Sequence, residues 1–397
     1  MNRLFSLLIL FYSLPLVAQD VLPKFTTPIA GVYLQDYYLV NYVDWSVANI
    51  LDYECGRKTY DGHQGTDFTL RNFAQMDTGV AVLAAANGVV TFIQEGLFDR
   101  NKTPVSGGLG NYIAIRHEDD FYTYYGHLKK GSIAVQVGEV VLAGQPIGLV
   151  GSSGYSSDPH LHFEVWYDSL FVWDPFSGPC GNPESLWLTP LSYVDTFGVI
   201  DHDFTSLVPT LDTLKERLLG QSVFGLADPV VSFWMQGYGV FPGDVSLVKW
   251  WTPDGTLWSD FTYEHPSEWW YYYFWSYFNM PPVGQAGVWT VQYFVNGALK
   301  VEDTFTVSGN SNTQTADARL EAQVYQNAAG VWVLRGLPDG YSDQIQVVDM
   351  LGRTVYSRAI QAFGAETRLP GTEVLPAGAY VLFGAQNRLK PLRLGVR

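Results

Sequence analysis

His160-Leu-His-Phe-Glu-Val-Trp166 changes character at every second residue: Leu161, Phe163 and Val165 are apolar, while histidines stand at 160 and 162. Side chains alternate faces along an extended strand, so the apolar three turn to a core and both imidazoles share the opposite face. Upstream, His63-Gln-Gly-Thr-Asp67 sets a histidine and a carboxylate four residues apart. An even separation again permits one shared face, and Gly65 permits a close backbone approach. Between the two stretches, Tyr124-Tyr-Gly-His127 ends a strand-like run on a further histidine. Four histidines and one aspartate are therefore available to a single site. Zinc takes three nitrogen or carboxylate ligands and leaves a fourth position for water, whose pKa falls to about 7. Two His and one Asp suit that set, and the other histidines suit a general base or donors to a developing oxyanion. The plainer alternative for His127 or His160 is an ordinary packed histidine.

Around these stretches the chain reads as all-β. Glycine and proline punctuate its 397 residues, and the segments between them are rich in Val, Tyr, Phe and Trp, as short strands are. The helix expected is Ser206 to Leu219, where Leu207, Leu211, Leu214 and Leu218 recur at helical spacing before Gly220, in a position to link two β domains. Hydrophobic residues are 47% and charged residues 16%, which supplies packed cores and excludes a disordered chain. At roughly 150 residues per domain the length implies two to three domains. A net charge of −16 repels polyanions, so nucleic acid is excluded as a partner.

Residues 1–19 read as a signal peptide, with Arg3, an apolar run from Leu4 to Leu14 and Leu16-Val17-Ala18 as a cleavage site. The run is too short for a stable membrane span, and the protein is expected to be secreted or held at the cell surface. Cys55 and Cys180, an isolated pair in an oxidising compartment, are expected to form a disulfide. Residues 20–199 hold five of the seven histidines. Residues 200–307 carry turns such as Thr252-Pro-Asp-Gly255 and Val295-Asn-Gly297 between alternating strands, as in an immunoglobulin-like sandwich with a helical linker before it. Residues 308–317 are a polar linker. The last block, 318–397, has nine Lys/Arg against six Asp/Glu, or +3, where residues 1–317 have 14 against 33, or −19.

The motifs of the first block resemble the lysostaphin-type zinc endopeptidases, peptidase family M23, also called the LytM domain. The resemblance covers about Lys58 to Val165, through Gly62-His-Gln-Gly-Thr-Asp-Phe68, Ala84-Ala-Ala-Asn-Gly-Val-Val90, Gly110-Asn-Tyr-Ile113, Tyr125-Gly-His-Leu128, Gly144-Gln-Pro-Ile-Gly148 and Pro159-His-Leu-His-Phe-Glu-Val165. It implies an antiparallel β catalytic domain with zinc ligands His63, Asp67 and His162 and catalytic histidines His127 and His160, none of them missing. It further implies peptidoglycan cross-links or glycine-rich peptides as substrate. Ala85-Ala-Asn-Gly-Val reads as a hairpin turn, and Gly151 to Asp158 as a mobile loop delivering the strand of His160. The stretch from Val135 to Gly148 is also similar to the hairpins of biotinyl carrier domains, but lacks their modifiable lysine.

Two further features bear on function. Trp269-Trp-Tyr-Tyr-Tyr-Phe-Trp275 either presents rings that stack on sugars or is covered by a neighbouring sheet or domain. The last block, a small β-sandwich, resembles the C-terminal sorting domain of the type IX secretion system through Val347-Val-Asp-Met-Leu-Gly-Arg353, Leu375-Pro-Ala-Gly-Ala-Tyr-Val-Leu382 and the basic Arg388 to Arg393. That resemblance implies the secretion machinery as a partner. The reading is a secreted zinc endopeptidase, the alternative a wall-binding or adhesive surface protein dominated by its sandwich domain.

Overall fold

The computed structural model describes residues 22–218, 220–225, 228–279, 285–308, 323–327, 331–337, 341–349, 354–362, 366–376, 378–384 and 392–396. The proposed signal peptide, most of the 308–317 linker and part of the C-terminal motifs lie outside them. Among the described residues the chain is nearly all-β, its α-helices being two five-residue turns, α1 (Phe73–Asp77) and α2 (Leu211–Lys215).

The histidine-rich block forms β1 (Tyr38–Asn41), β2 (Thr66–Thr69), β3 (Ala81–Leu83), β4 (Gly88–Gln94), β5 (Tyr112–Arg116), β6 (Phe121–Gly126), β7 (Val140–Val141), β8 (Pro146–Leu149), β9 (His160–Tyr167) and β10 (Phe171–Val172). The main sheet runs β1-β2-β9-β6-β5-β4-β7, with β10 paired to β9, and β3 pairs with β8 apart from it. Alternation in β9 does what its sequence dictates: Leu161, Phe163 and Val165 are fully buried in one cluster that also takes Phe68, Ile113, Ile115 and Tyr125. Phe163 meets the rings of Phe25, Phe68, Tyr125 and Trp187. Truncating it to alanine would cost about 3–5 kcal/mol, because the sheet beneath the histidines would lose its floor. Cys55 and Cys180 are bonded, with Cα atoms 5.2 Å apart, tying the approach to His63 to the segment beyond β10.

Three local expectations change. Ala85 to Val89 is no hairpin: β3 pairs with β8 and β4 with β5 and β7, so the turn is a corner between two sheets. The loop before His160 is pinned. Ser152 Oγ donates to Asn101 O (2.7 Å) and Ser153 Oγ to Leu128 O (2.9 Å), and Ser152, Ser153 and Ser156 are buried. The linker helix spans only Leu211–Lys215, capped by Thr210, whose side chain accepts from Thr213 N. Its start is delayed because Pro209 disfavours the helical conformation at Val208, and its end is set by Arg217 at φ +63°.

A second unit comprises β11 (Gly198–Thr205), β12 (Val223–Phe224), β13 (Val230–Tyr238), β14 (Val245–Trp251), β15 (Leu257–Glu264), β16 (Tyr272–Asn279), β17 (Gly287–Val295) and β18 (Ala298–Val307). Its two sheets, β11-β13-β16 and β12-β18-β17-β14-β15, share one aromatic core that includes Phe233, Trp250, Trp289 and Tyr293. Of the aromatic run, Tyr272 and Phe274 point into that core, while Trp270 packs with Tyr38 and Val40 of β1. Tyr271 Oη donates to Arg71 O (2.6 Å), and Gln236 Nε2 donates to the same carbonyl (2.5 Å). Burial, not display, is therefore what most of the run does, and Trp269 alone of its first two rings stays exposed. Lys58, buried, lies 4.7 Å over Trp270 and donates to Val194 O, adding a cation–π contact to the same seam. At the C-terminal end, β19 (Gln323–Gln326), β20 (Trp332–Arg335) and β23 (Glu366–Leu369) make one sheet. β21 (Ser342–Asp349), β22 (Thr354–Gln361), β24 (Gly378–Gly384) and β25 (Leu392–Val396) make the other, over a third cluster.

Candidate metal centre

Sheet register assembles the site. Asp67 of β2 stands opposite His162 of β9, Gly126 of β6 faces His162 from the other side, and Asn41 of β1 faces Asp67. One line across four strands thus carries a carboxylate beside an imidazole, and directly opposed residues bring their Cβ atoms to about 5 Å. His63 enters from the turn before β2. Gly65 is required there: a Cβ would lie 2.7 Å from Phe163 O and 2.8 Å from the His162 ring.

His63 Nε2, Asp67 Oδ1 and His162 Nδ1 converge, all three residues buried. His162 Nδ1 is 2.8 Å from Asp67 Oδ1, His63 Nε2 is 3.1 Å from His162 Nδ1 and 3.2 Å from Asp67 Oδ1. Ligands about 2.0–2.1 Å from one tetrahedral ion stand about 3.3 Å apart, so the triangle needs only slight opening to take one. Two imidazole nitrogens and a carboxylate oxygen also match the ligand preference of zinc.

Each imidazole is held by its other nitrogen. His63 Nδ1 donates to Tyr42 O (2.6 Å) and His162 Nε2 to Glu164 Oε1 (2.9 Å), which turns Nε2 of the first and Nδ1 of the second toward the triangle. Asn41 Nδ2 donates to Asp67 Oδ2 (2.8 Å), leaving Oδ1 for the centre. His127 Nδ1 donates to Ser153 O (2.7 Å) and His160 Nδ1 to Asp158 O (2.8 Å), so both present Nε2 to the groove. Their rings are 4.5 Å apart, and His160 Nε2 lies 3.7 Å from Asp67 Oδ1. His127 occupies φ +61°, a strained backbone for a histidine, and its N–H to Leu109 O (2.7 Å) helps hold it there.

Electrostatics separate the groups. Burial would raise the Asp67 carboxyl, but the neighbouring His63 and His160 and the hydrogen bonds from His162 and His63 outweigh it and hold it well below the usual range. Burial, then the adjacent His160 and His162, keep His127 well below the ordinary imidazole value, so it is neutral with a free Nε2 lone pair. For His162 burial works against the charged form, yet the Asp67 and Glu164 hydrogen bonds prevail and push it up to about 10. A metal ion would have to displace that proton.

All five sequence-predicted residues are therefore brought together. Glu164, Asn41, Tyr42 O and Ser153 O were missed. Glu164 shares strand parity with His160 and His162 and could have been found; the others carry no local signal. His117, a fifth histidine of the same block, is buried and bonded to Asn87 O (2.8 Å) and Thr123 Oγ1 (2.7 Å), away from the site.

Residues 61–173 match the family described as Peptidase family M23. This stretch is similar to peptidase family M23. An uncharacterized metalloprotease of Buchnera aphidicola is 35% identical over 137 residues, 34% of this chain and 32% of that protein. The peptidoglycan DD-endopeptidase ShyA of Vibrio cholerae is 36% identical over 103 residues, 26% of this chain and 20% of that protein. The solved catalytic domain of lysostaphin from Staphylococcus simulans is 27% identical, covering 34% of this chain and 85% of that one, with a TM-score of 0.24. The chain spans about a third or less of the length of the curated relatives named here.

Beside this centre runs a groove of about 460 Å³. Asp67, Thr69 and His160 line one side, and Glu268, Trp269 and Tyr271 of the second unit line the other. Among the described residues no helix is long and apolar enough to cross a membrane.

Proposed function

We propose that the protein is a zinc metalloendopeptidase that hydrolyses peptide cross-links of peptidoglycan outside the cytoplasm. The observation that carries the reading is the buried His63–Asp67–His162 triangle with two further imidazoles aimed at its open side. The names of the relatives, metalloprotease and peptidoglycan DD-endopeptidase, support the substrate class. His63 Nε2, Asp67 Oδ1 and His162 Nδ1 would hold the ion. When bound, zinc supplies Lewis acidity that polarises an amide carbonyl and acidifies water.

The remaining steps belong to the chain. His127, neutral and with its Nδ1–H committed to Ser153 O, can accept a proton at Nε2 and return it to the leaving amine. His160 Nε2, its Nδ1–H committed to Asp158 O, lies beside it and can accept a proton there and, once it carries one, donate to a developing oxyanion. The groove between β2 and Trp269 orients an extended peptide across these atoms. The leader at residues 1–19 and the block 318–397 serve export. Residues 200–307, read as an immunoglobulin-like sandwich, complete the groove wall.

Digestion of purified peptidoglycan by the zinc-loaded protein should release new amines and split cross-linked muropeptides. His162→Ala should lose zinc and activity together, whereas His160→Ala and His127→Ala should keep close to one zinc per chain and lose roughly 100-fold or more in rate. Zinc lost from His160→Ala but retained by His162→Ala would show that ligand and proton carrier have been exchanged.

A further inference from the structure

Two clefts meet at Trp269. One is the groove beside the metal centre. The other, about 680 Å³, lies between the Ser157–Asp158 turn, α2 through Leu211 and Lys215, and the second unit through Phe261 and Tyr263. Ser157, Asp158, Trp269 and Tyr271 line both, so the second cleft extends the first. The junction is also where Asp158 O fixes His160.

The wall of this extension is aromatic, with Tyr271, Tyr272, Tyr273, Phe274 and Trp275 lining it behind three more exposed rings. Trp269, Phe261 and Tyr263 keep 51%, 47% and 42% of their surface exposed, whereas Trp270, Tyr272 and Phe274 are spent in packing. Polar groups are few. Asp158 Oδ2 takes Lys215 Nζ (3.0 Å) and Ser157 Oγ (2.8 Å), and Asp158 Oδ1, buried, has no hydrogen-bond partner among the described residues. Flat apolar faces with a few fixed polar atoms suit a ligand that has C–H faces and a rim of hydroxyl and amide donors, which is the chemistry of an N-acetylated pyranose.

We propose that this cleft binds the glycan of the wall polymer, its sugar rings stacking on Trp269 and Tyr263, while the attached peptide lies across the metal centre. The assignment rests on the peptidoglycan reading above and adds to it a second contact by which glycan-bearing substrate is chosen over free peptide.

The full chain is titrated calorimetrically with the pentamer of N-acetylglucosamine, and initial rates are measured on intact wall and on a glycan-free cross-linked peptide. Wild type should bind the pentamer, and Trp269→Ala and Tyr263→Ala, both at exposed positions, should each bind it about tenfold more weakly. Tyr263→Ala should lower the ratio of kcat/KM on wall to kcat/KM on the glycan-free peptide about tenfold. Wild type that cuts wall but does not bind the pentamer overturns the cleft assignment and leaves the peptidase reading standing. Equal losses on both substrates overturn it too, by making the cleft a peptide site. Pentamer binding that weakens in both variants, without cleavage of either substrate, keeps the cleft and sinks the peptidase reading.

Discussion

Glu164 offers the sharpest test of how the centre is built, because it touches one ligand and no substrate-facing atom. Its Oε1 accepts from His162 Nε2 at 2.9 Å, its Oε2 accepts from Trp166 Nε1 at 2.6 Å, and the side chain is buried. Glu164→Leu leaves His162 Nε2–H without an acceptor and free to exchange its proton to Nδ1, the ligating atom. A hydrogen bond to a charged group is worth about 1.5–3 kcal/mol, which is about 10- to 100-fold in an equilibrium constant. The same range is typical when the outer partner of a metal-bound histidine is removed. Glu164→Gln keeps an oxygen for His162 but sets its NH2 against the Trp166 N–H, so its loss should fall at the low end.

Zinc affinity is read by competition with a chromogenic chelator, with melting of the metal-free proteins as a control for folding. Because Glu164 also raises the proton affinity of His162, the loss should be larger at pH 8.5 than at pH 7, where the wild type competes with its own proton. Rates at saturating zinc should recover more than affinity does. A folded Glu164→Leu protein that binds zinc as tightly as wild type at both pH values would refute the account of the tautomer.

Other outcomes follow from the same geometry. His117→Ala, which strips two buried hydrogen bonds and an edge contact with Phe25, should destabilise the protein by about 2–3 kcal/mol in urea without lowering zinc content; an unchanged midpoint would contradict its burial. Burial raises the Asp174 carboxyl to about 7 against the bonds it accepts from Phe176 N and Trp45 Nε1. Its protonated form is favoured in the fold, so its contribution is intact below about pH 4 and lost as pH climbs to about 7, a ceiling of about 4 kcal/mol. Asp174→Asn should flatten that slope in denaturant midpoints taken across this range, and an unaltered slope would reject the assignment. Opening the Cys55–Cys180 bridge, which closes a loop of 125 residues, should cost up to about 5 kcal/mol, seen as a lower midpoint after Cys→Ser replacement at both positions.

Two-residue periodicity and fixed chemical preference are local, so His160-Leu-His162, His63 with Asp67, and the all-β class were readable in the chain. Glu164 was readable by the same parity and went unnoticed. The corner at Ala85 to Val89 was misread because an Asn-Gly turn does not record which strand its neighbour will pair with.

The sequence by itself determined which atoms could bind a metal, because imidazole and carboxylate are chosen residue by residue and strand parity decides which share a face. Only the tertiary structure decided which nitrogen of each histidine is free. That choice depends on Tyr42 O, Glu164, Ser153 O and Asp158 O, brought in by register across β9 and its neighbours and by turns distant in the chain. It also decided that most of the aromatic run is spent on packing and on docking to β1, leaving Trp269 at the groove. A strand's composition fixes that its rings will seek cover, but only packing fixes what covers them.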